Sequence, residues 1–333
     1  MTDLRYDVLG IGNAIVDVIA HTEDDFLVAH ELNKGSMALI DETRAEALYA
    51  AMGPAQIISG GCAGNTAAGV ASLGGRAAFI GKVRNDTLGD LFAQNIRAFG
   101  VGFATLAATA GPATARSFIM VTPDGERTMS TYLGACQGLD PADVDEASVA
   151  ASAYVYLEGY LWDPPLAKEA FRKAAKIAHA AGRKVALSLS DAFCVDRYRD
   201  EFMELLRSRT VDVLFANEHE LKSLFTTEDF DAAVAAIRET GALGVITRGA
   251  KGAMTVTRAE TLSVPAFPVE RLVDTTGAGD LFASGFLFGL ASGASGTDCL
   301  RLGALAAAEV ISHIGARPER SLRELAQQQQ LVG

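Results

Sequence analysis

Cysteine is scarce in this chain, and its placing does not suggest cysteine chemistry. The four residues, Cys62, Cys136, Cys194 and Cys299, contain no CxxC pair, and the five histidines show neither HxxxH nor HExxH spacing. A zinc site and a disulfide framework are therefore not expected, and reduced thiols predict a cytoplasmic protein. Positive charge is in deficit: 29 Lys and Arg stand against 41 Asp and Glu, a formal net charge of −12. A general nucleic-acid binder carries a basic face, so no nucleic-acid partner is expected. Long hydrophobic runs are missing too. The most apolar window, near Leu281 to Leu290, is bounded by Asp280 and is too short to span a bilayer. The opening "MTDLRYDVLGIG" carries acids and reaches its apolar run at once, unlike a signal peptide, so no membrane partner is expected. There is no Walker A loop. "GKV" at Gly81 has neither the upstream glycine nor the Ser/Thr, which excludes a P-loop kinase.

What the chain does have is enough apolar residue for a large core: 49% of 333 residues are hydrophobic. "YDVLGIGNAIVDVIA" is nearly continuous in apolar residues and reads as one buried strand. "CAGNTAAGVASLG" reads as a small-residue helix and "RAAFIGKV" as a strand. "DTLGDLFAQNIRAFG" reads as an amphipathic helix, with Asp86 as N-cap and Gly100 at its end. This βαβα rhythm predicts a mainly parallel sheet flanked by helices. It breaks between Ala115 and Thr131, where two β-prone runs flank "PDG" as in a hairpin, and "KGSMALID" is a further β stretch. From Ala153 onward strands and helices alternate again, with no repeat and no long linker. The expected organisation is one α/β domain over residues 1–333. A small β-sheet lid is built from segments near 14–58 and 102–137.

The stretch "LVDTTGAGDLFASGF", Leu272 to Phe286, is the most informative. Gly277 and Gly279 permit backbone conformations that a Cβ hinders, and an apolar run of helical period follows Asp280. A helix starting there would aim free N–H groups at an anion such as phosphate. A carboxylate beside that anion repels it, yet is well placed to take a proton from a hydroxyl attacking it. Alone, the same turn could be a helix entrance with Asp280 as a plain N-cap.

The pattern Asp-Thr-Thr-Gly-Ala-Gly-Asp resembles the C-terminal signature of the ribokinase (pfkB-type) family of small-molecule kinases. The resemblance implies a ribokinase-like three-layer sandwich. It makes Asp280 the catalytic base and the amides of Gly277, Ala278 and Gly279 the anion hole. "SGGCAGNTAAG" resembles the family's element that contacts the phosphate acceptor, through Gly60, Gly61 and Asn65, with Cys62 beside them. "GNAIVDV" supplies Asn13 and Asp17, and in the family an Asp at this place binds the acceptor's hydroxyls. The same stretch approaches a dinucleotide GxGxxG, but its third glycine position is Ile15 and Asp17 falls too early. "NEHE" resembles the family's NxxE element, in which Asn217 and Glu220 organise Mg²⁺ around the phosphates of ATP through water. Read locally, it is equally a capping box opening a helix. "TRGAKGA" resembles the nucleotide-side turn, with Thr247, Gly249 and Gly252 near ATP. Asp274 and Thr276 could hold a monovalent cation, K⁺, as in related kinases. The matched elements run in family order from Gly10 to about Gly315.

Within the family the likeness is greatest to the adenosine kinases, in "VLGIGNAIVDV", "LNKGSMALID", "GERTMSTYLGAC" and "LSLSDAFCVDRYRDEF…VDVLFANEHE". Arg127, in the third stretch, is then the lid cation that approaches the transferred phosphate. Three positions depart. Thr276 replaces an Asn, Met37 a Gln that meets the purine, and Ser188 an Asn on the nucleotide side. The expected reaction is phosphoryl transfer from MgATP to a primary hydroxyl, with adenosine as acceptor. A sugar kinase acting on ribose, fructose or a keto-sugar acid is the alternative, and a non-catalytic ligand-binding member a more distant one. A small molecule is the expected partner, and both monomer and homodimer stay open.

Overall fold

The computed structural model describes residues 3–333. In chain order the first elements are β1 (Tyr6–Ile11), β2 (Ile15–His21), α1 (Asp24–Ala29), β3 (Met37–Leu39), α2 (Glu42–Ala51) and β4 (Gln56–Ser59). Next come α3 (Cys62–Ser72), β5 (Ala77–Ile80), α4 (Thr87–Ala98), β6 (Val101–Phe103), β7 (Ala115–Val121) and β8 (Arg127–Tyr132). The middle of the chain forms α5 (Glu146–Ala150), β9 (Ser152–Glu158), α6 (Pro165–Ala180), β10 (Lys184–Ser188), α7 (Ala192–Arg207) and β11 (Val213–Asn217). Then follow α8 (Glu218–Leu224), α9 (Phe230–Thr240), β12 (Leu243–Thr247), β13 (Ala253–Val256) and β14 (Thr261–Val264). The last helices are α10 (Ala278–Ala291), α11 (Gly296–Val310) and α12 (Leu322–Gln328).

Nine strands form the large sheet, in the order β14-β13-β12-β11-β10-β9-β1-β5-β6. It is parallel from β6 through β12, and β13 pairs antiparallel with both β12 and β14. Because strand side chains alternate, β1 feeds both faces. Val8 joins the core beneath α3, α4 and α10, while Leu9 and Ile11 join the core beneath α6, α7 and α9. Two helical layers around one sheet bear out the helix-flanked sheet that the βα rhythm predicts and the three-layer sandwich that the family resemblance implies. Among the described residues, no helix is long and apolar enough to cross a membrane.

A second sheet of five strands runs β3-β8-β7-β2-β4. The "PDG" hairpin is present as the antiparallel pair β7–β8. One expectation fails. "YDVLGIGNAIVDVIA" forms two strands in different sheets, not one strand. Hydrophobicity hides the break because both strands are buried. The cause lies at Gly12 and Asn13. A Cβ on Gly12 would lie 2.3 Å from Glu158 Oε2, and Asn13 Nδ2 donates to Glu158 Oε1 at 2.6 Å. The chain is pinned to the end of β9 at this point and turns out of the large sheet. Helix α7 starts at Ala192 because Asp191 caps it by accepting from Cys194 N at 2.6 Å.

Candidate active site

Helix α10 begins at a turn that only glycine fits. Gly277, its N-cap, has φ +78°, and a Cβ there would lie 2.7 Å from the Ala316 Cβ. Gly279 and Asp280 stand in the first turn, so their N–H groups have no intrahelical carbonyl to bond. Gly279 is exposed, with open space where a Cβ would be. The positive end of α10 therefore offers an anion cradle.

Asp280 does not act as the N-cap. It lies three residues inside the helix, and its Oδ2 accepts from Asn65 Nδ2 at 2.8 Å. Thr66 Oγ1 donates to the Asp280 carbonyl at 3.1 Å, locking α10 to α3. Burial pushes the Asp280 carboxyl up to about 6, while Asn65, Cys62 and the charge of Arg317 pull it back down. Asn65 Oδ1 has no partner among the described residues and is buried, so it stays open to a donor such as a hydroxyl.

Around this point lie two cavities. The smaller, about 100 Å³, is lined by Cys62, Ser188, Asn217, Glu220, Thr247, Gly279 and Asp280, among others. The larger, about 610 Å³, is mostly apolar and is lined by Thr247, Gly249, Gly252, Phe267, Gly279, Phe282 and neighbours from α11. They share Thr247, Gly279 and Phe282, so the start of α10 is where they meet. Gly252 has φ +88°, and a Cβ there would lie 2.1 Å from the Val264 carbonyl oxygen. Asn217 and Glu220 do form a capping box: Asn217 Oδ1 accepts from Glu220 N at 2.9 Å, and Glu220 Oε2 from Asn217 N at 2.9 Å. They still face the cavity, and burial pushes Glu220 up to about 7.

A separate group sits at the second sheet, outside the walls of both cavities. A Cβ on Gly60 would lie 2.2 Å from Asp17 Oδ2, and one on Gly61, at φ +83°, would lie 2.1 Å from the Asn13 carbonyl oxygen. The two glycines thus let β2 and its carboxylate approach the start of α3. Burial pushes Asp17 up to about 7 against the opposing charges of Arg317 and Arg127. Arg127 opens β8, and its Nη1 donates to Thr276 Oγ1 at 2.9 Å while Nη2 pairs with Asp274 Oδ2 at 2.8 Å. Asp274 also accepts from Thr276 N at 3.0 Å and Gly315 N at 3.1 Å. Gly60→Ala should displace Asp17 and raise the acceptor KM by about tenfold or more, with a much smaller change in KM for ATP. Steady-state kinetics with each substrate varied in turn would check this.

Other expected residues lie elsewhere. Asn13 is directed into the core, where its amide bonds Glu158 and its Oδ1 accepts from Cys136 Sγ at 3.0 Å. Met37 is on the edge strand β3, 49% exposed, and lines neither cavity. Leu161 and Trp162 are core residues, and Trp162 Nε1 donates to Glu201. Cys62 is at the cavity wall beside Asp280, and its thiol is pushed up by burial.

Two charged residues at the site escape sequence reading. Glu158 is 1% exposed and accepts from Ala63 N at 2.9 Å, and burial pushes it up to about 7. A carboxylate ending the apolar run "AYVYLEG" was its one available signal. Arg317 is 5% exposed, but in the sequence it is one charge among several in "GARPER".

A model of the pfkB family carbohydrate kinases matches residues 42–322. The adenosine kinase of Sinorhizobium meliloti is 56% identical, with a TM-score of 0.91 over 98% of this chain and 99% of that one. A probable sugar kinase of Rhizobium etli CFN 42 is 53% identical, with a TM-score of 0.92 over 99% of this chain and 100% of that one. Adenosine kinase 2 of Arabidopsis thaliana is 27% identical, and the match spans 95% of this chain and 97% of that protein. With the glycine-built start of α10, the adjoining carboxylate and the ordered motifs all present, the chain belongs to the pfkB family of carbohydrate kinases and is an ATP-dependent kinase.

Proposed function

We propose that the protein transfers the γ-phosphoryl group of MgATP to the 5′-hydroxyl of adenosine. The observation that carries this reading is Asp280, held by Asn65 at the positive end of α10, where two cavities meet. Asp280 takes the proton of the attacking hydroxyl, and Asn65 Oδ1 accepts from the acceptor and orients it. The N–H groups of Gly277, Gly279 and Asp280, with Arg127, stabilise the charge on the transferring group. Asp17 binds the ribose hydroxyls, and Gly60 and Gly61 allow the close approach.

The larger cavity suits the adenine of ATP, with Gly249 and Gly252 at its turn. The donor set also fits Mg²⁺. Asn217 and Glu220 place hard oxygens at the cavity wall, each already accepting within the capping box, so they would hold the ion through its waters. Among the described residues no cluster of three or more His, Cys, Asp or Glu could hold an ion, which leaves most ligands to phosphate and water. Bound there, the ion would neutralise phosphate charge. K⁺ fits poorly, because Arg127 and two backbone N–H groups already take the Asp274 oxygens. No step is assigned to it. The free thiols agree with a cytoplasmic location.

Adenosine is favoured as acceptor by the face of the second sheet that carries Asp17. In register with Asp17 stand Ile58, Ser117, Thr131 and Leu39, and the next row on that face is Gln56, Ile19, Ile119, Met129 and Met37. The apolar part of that face, Ile19, Ile119 and Met129, suits a purine, and Asp17 with the hydroxyls of Ser117 and Thr131 suits the attached ribose. The second sheet would then act as a lid. A sugar acceptor remains the second reading, on the 53% identity to the probable sugar kinase. A panel of adenosine, other nucleosides, pentoses and hexoses with MgATP separates them. Adenosine should exceed every free sugar in kcat/KM by about 10³-fold. A ribose or fructose kcat/KM equal to or above that of adenosine would overturn the choice.

A further inference from the structure

Arg317 lies in the segment after α11, outside every motif considered above, yet it is buried. Its Nε donates to the Ser59 carbonyl at 2.9 Å, its Nη2 to Ser59 Oγ at 3.1 Å, and its Nη1 to the Gly64 carbonyl. Ser59 and Gly64 bracket the turn Gly60–Gly61 and the first residues of α3. The same segment backs the anion cradle: Gly315 N–H donates to Asp274 Oδ2 at 3.1 Å, and Ala316 packs where a Cβ on Gly277 would sit. The guanidinium also lies over the Phe99 ring at 5.3 Å.

We propose that Arg317 is a positioning residue of the phosphoryl transfer. It fastens both ends of the acceptor-side turn to the segment behind the start of α10, and so sets Asp17 and Asp280 relative to the anion cradle. This rests on the kinase reading above. A planar, rigid fork that spans two carbonyls and a hydroxyl suits arginine and not lysine.

The charge has a second effect. The groups facing Asp280 are Asn65, Cys62 and Thr66 from α3, Tyr156 and Glu158 from β9, Asp17 from β2, and Arg317. All of Arg317's hydrogen bonds go to carbonyl and hydroxyl oxygens, so its field is left to act on Asp17 and Asp280. Burial lowers Arg317 to about 10, which leaves it charged at neutral pH. Without that charge both carboxylates would hold their protons to higher pH, and the base form of Asp280 would be scarcer.

The test compares Arg317→Gln and Arg317→Lys with the parent enzyme by two readouts. One is kcat/KM for the acceptor against pH. The other is the ¹³C-carboxylate NMR titration of Asp280, assigned by its loss in Asp280→Asn, which needs no acceptor. Arg317→Gln should lose about 100-fold in kcat/KM. Its acidic limb and its Asp280 titration should both move up by about one pH unit. Arg317→Lys keeps the charge and loses the fork, so the titration should stay in place while kcat/KM falls about tenfold.

A folded Arg317→Gln protein with kcat/KM within about twofold of the parent and an unmoved titration would overturn the proposal. If Arg317→Gln does not fold, Arg317→Lys decides, and a parent-like kcat/KM there overturns the positioning role. A parent enzyme inactive on every acceptor would refute the kinase reading, while the titration still tests the effect of Arg317 on Asp280.

Discussion

Asp280→Asn is expected to lower kcat by about 10³- to 10⁴-fold and to leave the fold intact. A factor of 10⁴ corresponds to about 5.4 kcal/mol of transition-state stabilisation. The replacement keeps the shape, and its amide oxygen can still accept from Asn65 Nδ2, so α3 and α10 stay joined. What it removes is the proton acceptor at the helix start. KM for ATP should change little, because the larger cavity and its glycine turn are untouched.

Stability is not expected to fall either. Asp280, Asp17 and Glu158 are all raised by burial, to about 6, 7 and 7. Between the ordinary carboxylate range and about pH 7 the folded state therefore holds more protons than the unfolded one. Stability drops as pH rises through that window. Removing one of these buried charges should leave the melting temperature at neutral pH equal or higher. The same titrations predict an acidic limb in kcat/KM near pH 6 to 7 in the parent enzyme.

Arg127→Gln is expected to show the second-largest effect, and to show it in two properties at once. Loss of a cation at the developing phosphoryl charge should cost about 10²- to 10³-fold in kcat. The same change breaks a buried pair, since the Arg127 and Asp274 side chains are 9% and 4% exposed. Leaving the Asp274 carboxylate without its guanidinium should cost about 3–5 kcal/mol. Arg127→Gln with Asp274→Asn separates the two effects. The double variant should recover most of the stability, because the stranded charge is gone, and should stay as inactive as the single one. Recovery of activity along with stability would mean that Arg127 acts only by holding the turn before α10.

The alternation of strands and helices was legible because each element carries its own period. The fold class, the parallel sheet and the hairpin around "PDG" all follow from it. The break at Gly12 and Asn13 was not legible, because both flanking strands are buried and equally apolar. Its cause is a contact with Glu158, some 145 residues away in sequence. The candidate site divides in the same way. Asp280, Asn65 and Gly277 sit in short glycine-marked motifs whose chemistry is local. Arg317 meets its partners Ser59 and Gly64 more than 250 positions away, and only the folded chain brings them together. Thr276 gained a concrete role, as the hydroxyl that receives Arg127.

The account stands most directly on one measurement: ³¹P NMR of the products formed from MgATP and adenosine by the parent enzyme and by Asp280→Asn. The parent should convert the γ-phosphate into a 5′-phosphomonoester in equal amount to ADP, and folded Asp280→Asn should form almost none. ATP consumed to inorganic phosphate alone by the parent, or undiminished ester formation by Asp280→Asn, would contradict it.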